Sequence, residues 1–376
     1  MTRRESMMAT NTFAHCDDLG PEKVMELYDP ATGLNAILVV DNVAAGPAIG
    51  GVRMAADATT EECARLARAM TLKNAMAGLP HGGGKAVIVA DPAMPAAAKE
   101  RLVRSFAHAI GDVRDYIAGP DMGTDEHLMA CLRDVNGRAV GLPRELGGIP
   151  LDEIGATGFG LTVALEASAE QGGVALDGAR VVVQGFGSVG QHAARFLAAR
   201  GARLVAVSDS QGARAAADGF DLDALLAWKA AGHSVAGFAQ GTALDADDLI
   251  AVTCDIWIPA ARPDVIREDN VARLDARVVA QGANIPATPG AERMLAERGV
   301  LVLPDFVVNA GGVICAAVEY HGGTEAQAMA SIEEKIRTNV RAVLTRAAAT
   351  GALPRQVAQA LARERVLRAM SVRRTW

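Results

Sequence analysis

The sequence predicts an α/β protein of two domains, as its length, a glycine-rich centre and a regular alternation of strand and helix patterns indicate. The chain has 376 residues, and a typical domain holds ~100–200. A glycine-rich connection covers 141–158. Beyond it, short apolar runs alternate with helical patterns, which is typical of a doubly wound parallel sheet. We therefore expect an N-terminal α/β domain at 1–150, a Rossmann-type domain at 151–339, and C-terminal helices at about 340–376 that pack back on the first domain.

Composition narrows the class of protein. Half of the residues are hydrophobic, so a sizeable core can form. A net charge of -7 and an aromatic content of 4% both disfavour nucleic-acid binding. The five cysteines contain no C-x-x-C pair, so we expect no disulfide framework, no metal site and a reducing cytoplasm. No stretch approaches the ~18 apolar residues of a membrane span, and 1–18 lack the apolar core of a signal peptide.

The first domain mixes strand and helix patterns. A capping box of Thr59 and Glu62 begins a helix that we expect to run over Ala58–Gly78. Short apolar runs that end at turn residues predict strands. These runs are Leu34–Asn42, Lys85–Ala90 and Asp115–Asp121.

The second domain alternates more regularly. Helices are predicted over 157–171 and 188–201, on either side of a valine-rich strand. The predicted strands are Ala179–Gly185, Arg203–Asp209, Cys254–Ala260, Ala276–Asn284 and Val300–Asp305. From 325 onward almost the whole chain has a helical pattern.

A dinucleotide fingerprint lies between the first strand and helix of the second domain. The stretch "VVVQGFGSVG" has the pattern G-x-G-x-x-G, and the next strand ends in an acid about 20 residues later. An ordinary βα turn explains this combination less well. The predicted cofactor contacts are Gly185, Phe186, Gly187, Ser188, Val189, Gly190 and Asp209. The carboxylate of Asp209 favours NAD, although NADP is possible because Ser210 and Gln211 can accommodate a phosphate.

A second glycine-rich stretch, "GLPHGGGKAVIVAD", is not a phosphate loop. The P-loop pattern needs a glycine six residues before its lysine, a Ser or Thr after it and a following helix. Here Leu79 and Ala86 occupy those two positions, and a strand follows. We interpret the glycines as letting a small ligand approach the backbone beside Lys85, at the lip of a strand. A lysine in this place can also be an ordinary surface residue.

Two further polar residues accompany Lys85. Lys73 lies in the apolar helical stretch "AMTLKNAMAG", and Asp121 ends a strand, where α/β proteins bind ligands. Each has a plainer interpretation: Lys73 as a half-exposed side chain and Asp121 as a turn residue. Two lysines in one dry site would lower each other's pKa, which leaves one amine as a base and one ammonium to hold a carboxylate.

Several motifs occur together and in a characteristic order. They are "MTLKNAMAGLPHGGGKAVI", "AGPDMGT", "ATGFG", "VVVQGFGSVG", "SDSQG", "QGAN" and "LPDFVVNAGGV". In this order the chain resembles the glutamate/leucine/phenylalanine/valine dehydrogenase superfamily over roughly 35–340. The resemblance implies that Lys85 is the catalytic lysine, that Lys73 binds the substrate α-carboxylate, and that Asp121 moves protons to and from the amino nitrogen. It also implies that Thr157 and Asn284 contact the nicotinamide and that the loop from Asn309 to Val313 lines the substrate pocket.

The resemblance implies a reaction as well. An L-amino acid would be oxidised to a 2-oxo acid and ammonium, with hydride passing to NAD or NADP and with no metal. It further implies a homo-oligomer. A non-catalytic dinucleotide-binding regulatory protein is the alternative from another class, and in such a protein the two lysines and Asp121 need not converge.

The substrate side chain is predicted from two positions. Glutamate-specific members of the family have a lysine before the Gly-Gly of a "GGMR"-like motif and a serine three residues after the valine of "NAGGV". This chain has Ile49 before Gly50 and Gly51, and Ala316 at the second position. We therefore expect an apolar substrate such as leucine, valine, isoleucine or phenylalanine. "AGPDMGT" and "EIGATGFG" are closer to the glutamate branch, so a glutamate dehydrogenase with an atypical pocket is the alternative.

Overall fold

The computed structural model describes residue 13 and residues 15–373. Contacts between Cα atoms group the chain into two compact units. The first unit contains the chain up to 71, residues 80–139 and the chain from 366 onward; the second contains 72–79 and 140–365. Residues 1–12, which carry most of the segment predicted not to be a signal peptide, lie outside the described residues. No helix in the described chain has both the length and the apolarity to cross a membrane.

The first unit is built on a five-stranded mixed sheet with the order β1-β2-β4-β3-β5. Its strands are β1 (Lys23–Asp29), β2 (Leu34–Asn42), β3 (Ala48–Met54), β4 (Gly82–Ile88) and β5 (Tyr116–Pro120). Strand β4 pairs antiparallel with β2 and parallel with β3, which also pairs parallel with β5. The helices are α1 (Thr60–Met76), α2 (Ala96–Ala109) and α3 (Glu126–Asn136).

The predicted elements of this unit are present, whereas β1, β3, α2 and α3 were not predicted from the sequence. Strand β2 has the predicted bounds, and α1 starts after Thr59, whose hydroxyl accepts a hydrogen bond from the Glu62 N–H at 3.1 Å. Strand β4 begins at Gly82 instead of Lys85, so the glycines belong to the strand and Lys85 lies in its middle. Strand β3 was not predicted from the sequence because two adjacent glycines interrupt its apolar pattern.

The second unit is built on a seven-stranded sheet with the order β12-β11-β10-β6-β7-β8-β9. Its strands are β6 (Arg180–Gln184), β7 (Arg203–Asp209), β8 (Gly212–Ala215), β9 (Thr242–Leu244), β10 (Ile256–Pro259), β11 (Val278–Ala280) and β12 (Leu301–Leu303). The five strands from β12 to β7 are parallel, and β8 and β9 extend the sheet antiparallel. This confirms the predicted doubly wound fold.

Among the described residues, the second part of the chain contains eight α-helices. They are α4 (Ala156–Ala169), α5 (Ser188–Ala198), α6 (Leu222–Ala230), α7 (Pro289–Glu297), α8 (Asp305–Val308), α9 (Gly311–Tyr320), α10 (Glu325–Thr350) and α11 (Pro354–Val372). A capping box of Thr324 and Gln327 begins α10, and Gly351 ends it in the left-handed conformation. The order of strands reverses between β6 and β10, and an open α/β sheet binds its ligands at such a point.

The contact grouping changes between 139 and 140, near the predicted domain boundary at 150. The end of α11 groups with the first unit, where the Asn42 side-chain amide donates a hydrogen bond to the Met370 sulfur at 3.5 Å. All of α10, and α11 up to residue 365, group with the second unit. The predicted boundary at 150 and the assignment of all of 340–376 to the first domain stay predictions.

Candidate active site

The first unit brings Lys85 and Asp121 into direct contact. Lys85 lies in the middle of β4 and is 5% exposed, and its amine pairs with Oδ2 of Asp121. Asp121 directly follows β5, as the sequence predicts for a ligand-binding acid. Its other oxygen, Oδ1, accepts a hydrogen bond from the Met122 N–H at 2.6 Å. A buried amine and a carboxylate in contact form a unit that can pass protons to a bound ligand.

Arg53 is a third member of this cluster and was not predicted from the sequence. Its Nη2 atom lies 3.6 Å from Oδ1 of Asp121, and its Nη1 donates to Glu62 Oε1 at 2.8 Å. Arg53 therefore connects Asp121 to the first turn of α1. The signal for it was available, because Arg53 follows Gly51 by two residues and alternate residues of a strand share one face.

Gly51 provides the space that Asp121 occupies. A Cβ atom at Gly51 would lie 2.8 Å from both Cβ and Oδ2 of Asp121. A Cβ atom at Gly50 would lie 1.7 Å from the backbone oxygen of Gly84 on the neighbouring strand. The predicted role of both glycines in substrate binding stays a prediction, and what the structure shows is close packing.

The triple glycine before Lys85 has a packing role, and the interpretation that it brings a ligand close to the backbone stays a prediction. A Cβ at Gly82 would lie 1.7 Å from the Asn42 oxygen, and one at Gly83 would lie 2.0 Å from the Thr71 nitrogen. A Cβ at Gly84 would lie 3.0 Å from the ring of Tyr116. The three glycines therefore let neighbouring elements of the protein itself approach β4.

Lys73 lies in the last turn of α1, in the part of that helix that groups with the second unit. Burial lowers the pKa of Lys73 from 10.5 to about 8, and the negative charge of Asp305 opposes this shift. A lysine in this state changes its charge close to neutral pH. Such a group can hold a carboxylate when protonated and releases its proton more readily than a surface lysine.

Asp305 belongs to a buried polar network that the sequence did not reveal. It lies four residues before Asn309, the first residue of the "NAGG" stretch, and ion-pairs with Arg355 at 2.8 Å. Oδ2 of Asp305 accepts a hydrogen bond from the Ile285 N–H at 2.7 Å. Arg355 also contacts Glu292 and Gln281, at 2.8 and 2.6 Å. Asp305 lies just after β12, so the rule for strand ends was a usable signal for it. Arg355, on α11, carried no such signal.

The predicted nicotinamide and pocket residues of the second unit lie close together. The Asn309 side-chain amide donates to Oδ1 of Asn284 at 3.0 Å and to the Gly282 oxygen at 3.2 Å. A Cβ at Gly312 would lie 3.5 Å from the Thr157 hydroxyl. Val313 follows in the first turn of α9. The motifs "ATG", "QGAN" and "NAGGV", far apart in sequence, thus meet at one place in the second unit.

The three fingerprint glycines differ in their surroundings as a dinucleotide site requires. Gly185 has φ +95, a conformation that favours glycine. A Cβ at Gly190 would lie 2.1 Å from the Gly185 oxygen, so only a glycine here lets α5 pack closely against the turn after β6. At Gly187 an added Cβ would have no atom of the described chain within 4 Å. Gly187 caps α5, and open space above a helix N-terminus is what a pyrophosphate needs.

The residues between the fingerprint glycines differ in what they can offer a bound cofactor. Phe186 is only 1% exposed, and its N–H donates to the Ser208 oxygen at 2.7 Å. Its ring therefore packs in the core, and its N–H is already used. Ser188 is exposed and Val189 is half-buried, both in the first turn of α5. Their N–H groups belong to the unsatisfied end of the helix.

Asp209 ends β7, as predicted, and its carboxylate is held by four donors. They are Lys229 Nζ, the Ser234 hydroxyl and the Val235 N–H, each at 2.8 Å, and the Gln211 N–H at 3.0 Å. Burial opposes the ionisation of Asp209, but these donors together lower its pKa to about 2. The carboxylate therefore stays charged and fixed, with the ammonium of Lys229 beside it.

A cleft of 920 Å³ in the second unit runs from the fingerprint glycines to Asp209. It is lined by Gly187 and Asp209, and also by Gln184 and Trp257. Within the described residues, the buried Oε1 of Gln184 and the buried Nε1 of Trp257 have no hydrogen-bond partner. Buried polar atoms without partners are uncommon, and they fit a cleft that binds a polar ligand. The residues present therefore fit a dinucleotide.

Comparison with known families agrees with this geometry. The sequence model of the glutamate/leucine/phenylalanine/valine dehydrogenase family matches 147–374, and that of its dimerisation domain matches 21–136. The chain belongs to this family. It is an amino acid dehydrogenase, an oxidoreductase that uses NAD or NADP.

Curated relatives of the dehydrogenase carry glutamate dehydrogenase names. It is 37% identical to the glutamate dehydrogenase of Aeropyrum pernix, over 88% of this chain and 85% of the relative. It is 36% identical to the NAD-specific glutamate dehydrogenase of Staphylococcus aureus (strain COL), over 80% of this chain and 76% of the relative.

Two solved structures resemble the dehydrogenase along almost their whole length. One is the hetero-hexameric glutamate dehydrogenase of Thermus thermophilus in a leucine-bound form, with a TM-score of 0.85, 32% identity and coverage of 95% and 91%. The other is the L-tryptophan dehydrogenase of Nostoc punctiforme, with a TM-score of 0.73, 25% identity and coverage of 94% and 97%. These likenesses confirm the predicted family and fold.

Both positions that predict the substrate of this dehydrogenase are buried and apolar. Ile49, on β3 of the first unit, is 3% exposed, and Ala316, on α9 of the second, is 7% exposed. Neither side chain can hydrogen-bond or neutralise a carboxylate. The roles that the resemblance implies for these residues stay predictions.

Proposed function

We propose that this amino acid dehydrogenase oxidatively deaminates an apolar L-amino acid of the leucine, valine, isoleucine or phenylalanine type, reversibly, to the 2-oxo acid and ammonium. The observation that carries the proposal is the pair of buried apolar residues, Ile49 and Ala316, at the two positions where a side-chain carboxylate would need partners. A carboxylate buried without a partner is strongly disfavoured, whereas an aliphatic side chain gains by burial.

Each protein group of the first unit has a place in this reaction. NAD, when bound, would supply the hydride acceptor, and the loss of hydride from Cα would leave the substrate as an iminium. Lys85, as a neutral amine, takes a proton from the water that attacks the iminium carbon. Asp121 exchanges protons with the substrate nitrogen, which leaves as ammonia when the C–N bond breaks. In the structure Lys85 and Asp121 pair with each other, so we infer that the substrate ammonium competes with Lys85 for Asp121. A buried lysine that loses its carboxylate partner favours the neutral form that a base requires.

Lys73, when it is protonated, is proposed to hold the α-carboxylate of the substrate. Such binding orients Cα, and orientation can supply ~7–11 kcal/mol toward the barrier. The pKa of about 8 places the loss of this charge just above neutral pH. Thr157, Asn284 and the Asn309–Val313 loop are proposed to contact the nicotinamide and the substrate, and their proximity in the second unit supports this.

For the cofactor we propose NAD rather than NADP. The charged carboxylate of Asp209 repels a 2′-phosphate and suits a ribose hydroxyl. The ammonium of Lys229 at 2.8 Å offsets part of that charge, so the preference is one of degree. The name of the NAD-specific relative from Staphylococcus aureus supports the same choice.

Glutamate is the second candidate substrate, because the curated relatives described above bear the name glutamate dehydrogenase at 36–37% identity. In that case the side-chain carboxylate would have to find partners other than residues 49 and 316. We also propose a homo-oligomer, since 21–136 match a dimerisation domain. The Thermus relative is a hetero-hexamer, which supports an oligomer but not identical subunits.

A double substitution, which places at residues 49 and 316 the polar residues of the glutamate-specific members, tests the substrate proposal. We expect Ile49→Lys with Ala316→Ser to lower kcat/KM for L-leucine and raise it for L-glutamate, relative to the matched apolar control Ile49→Leu. Since a buried lysine can unfold the chain, thermal melting and NAD binding are measured for every variant, and Ala316→Ser is also tested alone. If folded variants keep the wild-type ratio of leucine to glutamate activity, residues 49 and 316 do not set the specificity and the proposal is wrong.

A further inference from the structure

Three metal-ligand side chains meet on the packed helices α2 and α3 of the first unit. They are Glu100 from α2 and His127 and Cys131 from α3, and one ligand atom of each lies within 4.8 Å of the other two. Cys131 Sγ is 3.8 Å from His127 Nε2, and His127 Nε2 is 4.0 Å from Glu100 Oε2. None of the three belongs to the motifs that predict the dehydrogenase.

The spacing in sequence explains why the three meet. His127 and Cys131 are four residues apart on one helix, so they lie on the same face one turn apart. Paired ligands four residues apart on a helix are a known way to hold zinc. Glu100 adds a carboxylate from the helix packed alongside. The arrangement depends on the packing of two helices, so spacing along the sequence alone did not reveal it.

The distances suit a tetrahedral ion. With Zn–S of about 2.3 Å and Zn–N and Zn–O of about 2.0–2.2 Å, the sulfur and nitrogen ligands should lie about 3.6 Å apart, and nitrogen and oxygen about 3.3 Å. The observed separations, 3.8 and 4.0 Å, exceed these by about 0.2 and 0.7 Å. The His127 side chain is 72% exposed, so it has room to close the difference.

The carboxylate is also oriented for this task. Arg104 donates to Oε1 of Glu100 at 2.8 Å and to Oδ2 of Asp134 at 2.7 Å. This bond fixes the plane of the Glu100 carboxylate and leaves Oε2 as the oxygen nearest His127. Metal-ligating carboxylates are typically held by such outer partners.

We propose that Glu100, His127 and Cys131 form a zinc site with three protein ligands and one open position. A thiolate and an imidazole together select zinc over magnesium or calcium, which prefer oxygen ligands. The open position distinguishes this site from a closed structural site with four protein ligands. A bound ion would link α2 to α3, so it should stabilise the first unit.

Metal titration of the whole protein tests the site. The background variant is Cys16→Ser, because exposed Cys16 follows His15 and the two could bind zinc adventitiously. We expect one zinc ion per chain by calorimetry, and with Co²⁺ a thiolate-to-metal charge-transfer absorption. His127→Ala should weaken binding at least about tenfold, since one of three ligands is lost, and Cys131→Ser should remove the absorption.

The control is His108→Ala, an exposed histidine of α2 that has no part in the cluster. It should bind zinc as the background does. Because His127 is exposed, His127→Ala should melt at the background temperature without metal and should not gain the zinc-induced rise. The proposal is overturned if His127→Ala binds zinc as tightly as His108→Ala, or if Co²⁺ gives no thiolate absorption in the background protein.

Discussion

The buried amine of Lys85 contacts the carboxylate of Asp121, and Arg53 holds the same carboxylate from its other oxygen at 3.6 Å. All three come from neighbouring parts of one sheet: β3, β4 and the residue after β5. An ion pair on rigid strands keeps a proton donor and acceptor in fixed positions, which general acid–base catalysis requires.

Lys85→Ala should reduce kcat/KM by at least about 10²–10⁴, the usual contribution of a general base, while leaving NAD affinity unchanged. The measurements are steady-state rates and NAD binding by fluorescence. Lys23→Ala is the matched control, since Lys23 also pairs with an aspartate of the first unit, Asp115, but is 44% exposed. Turnover by Lys85→Ala at the control rate would exclude Lys85 from the chemistry.

Gly51→Ala should lower kcat strongly while changing the melting temperature little. The added Cβ would lie 2.8 Å from Asp121, so the aspartate side chain must shift, and a misplacement of about 1 Å can cost about 10²-fold in rate. Rates and melting temperature are compared with Gly237→Ala, whose Cβ would make an ordinary 3.4 Å contact with Trp228. Equal rates for the two variants would mean that Gly51 does not position Asp121.

Lys73→Met should abolish productive substrate binding yet stabilise the fold at neutral pH by about 0.5–2 kcal/mol, because burial disfavours the charged amine. The folded pKa of about 8 lies below the ordinary 10.5, so between these values only the unfolded chain keeps the proton. Wild-type stability should therefore rise relative to Lys73→Met as pH increases from 8 to 10.5.

Denaturant unfolding at several pH values measures this difference. The KM of the wild type for the amino acid should rise over the same range, since a neutral Lys73 no longer attracts a carboxylate. A stability difference that does not change with pH would show that Lys73 is an ordinary solvated lysine.

Gly187→Ala and Gly190→Ala should fail in different ways. The methyl group at 187 enters open space, so the fold should keep its stability while NAD affinity falls at least about tenfold, or 1.4 kcal/mol. The methyl group at 190 would lie 2.1 Å from the Gly185 oxygen, so overpacking should cost about 1–3 kcal/mol of stability. Calorimetric melting and NAD titration separate the two effects, and similar melting temperatures would contradict this division of roles.

Sequence reasoning predicted the features that local patterns determine. The G-x-G-x-x-G turn, the strand that ends in Asp209 and the acid after β5 each follow from periodicity and strand ends. Arg53 obeyed the same rules but lies in a stretch where glycines weaken the strand signal. Asp305 ends the predicted strand Val300–Asp305, but no local pattern indicates its partner Arg355.

Other features depend on long-range packing and could not be predicted from the sequence. The glycines at 82–84 were interpreted as ligand-facing because their protein neighbours, among them Thr71 and Tyr116, come from other elements. Arg355 reaches Asp305 and Glu292 from α11, which is far away in sequence. Likewise, three of the four donors to Asp209 come from α6 and from the turn that follows it, and no sequence motif indicates them.

The most direct test of the substrate assignment is the initial rate of NADH formation at alkaline pH with L-leucine, L-valine, L-isoleucine, L-phenylalanine and L-glutamate, repeated with NADP. The account predicts that kcat/KM is highest for an apolar amino acid with NAD and at least about tenfold lower for glutamate, since glutamate would bury an unpaired carboxylate beside Ile49 or Ala316. Strong activity on glutamate, with none on the apolar amino acids, would contradict it.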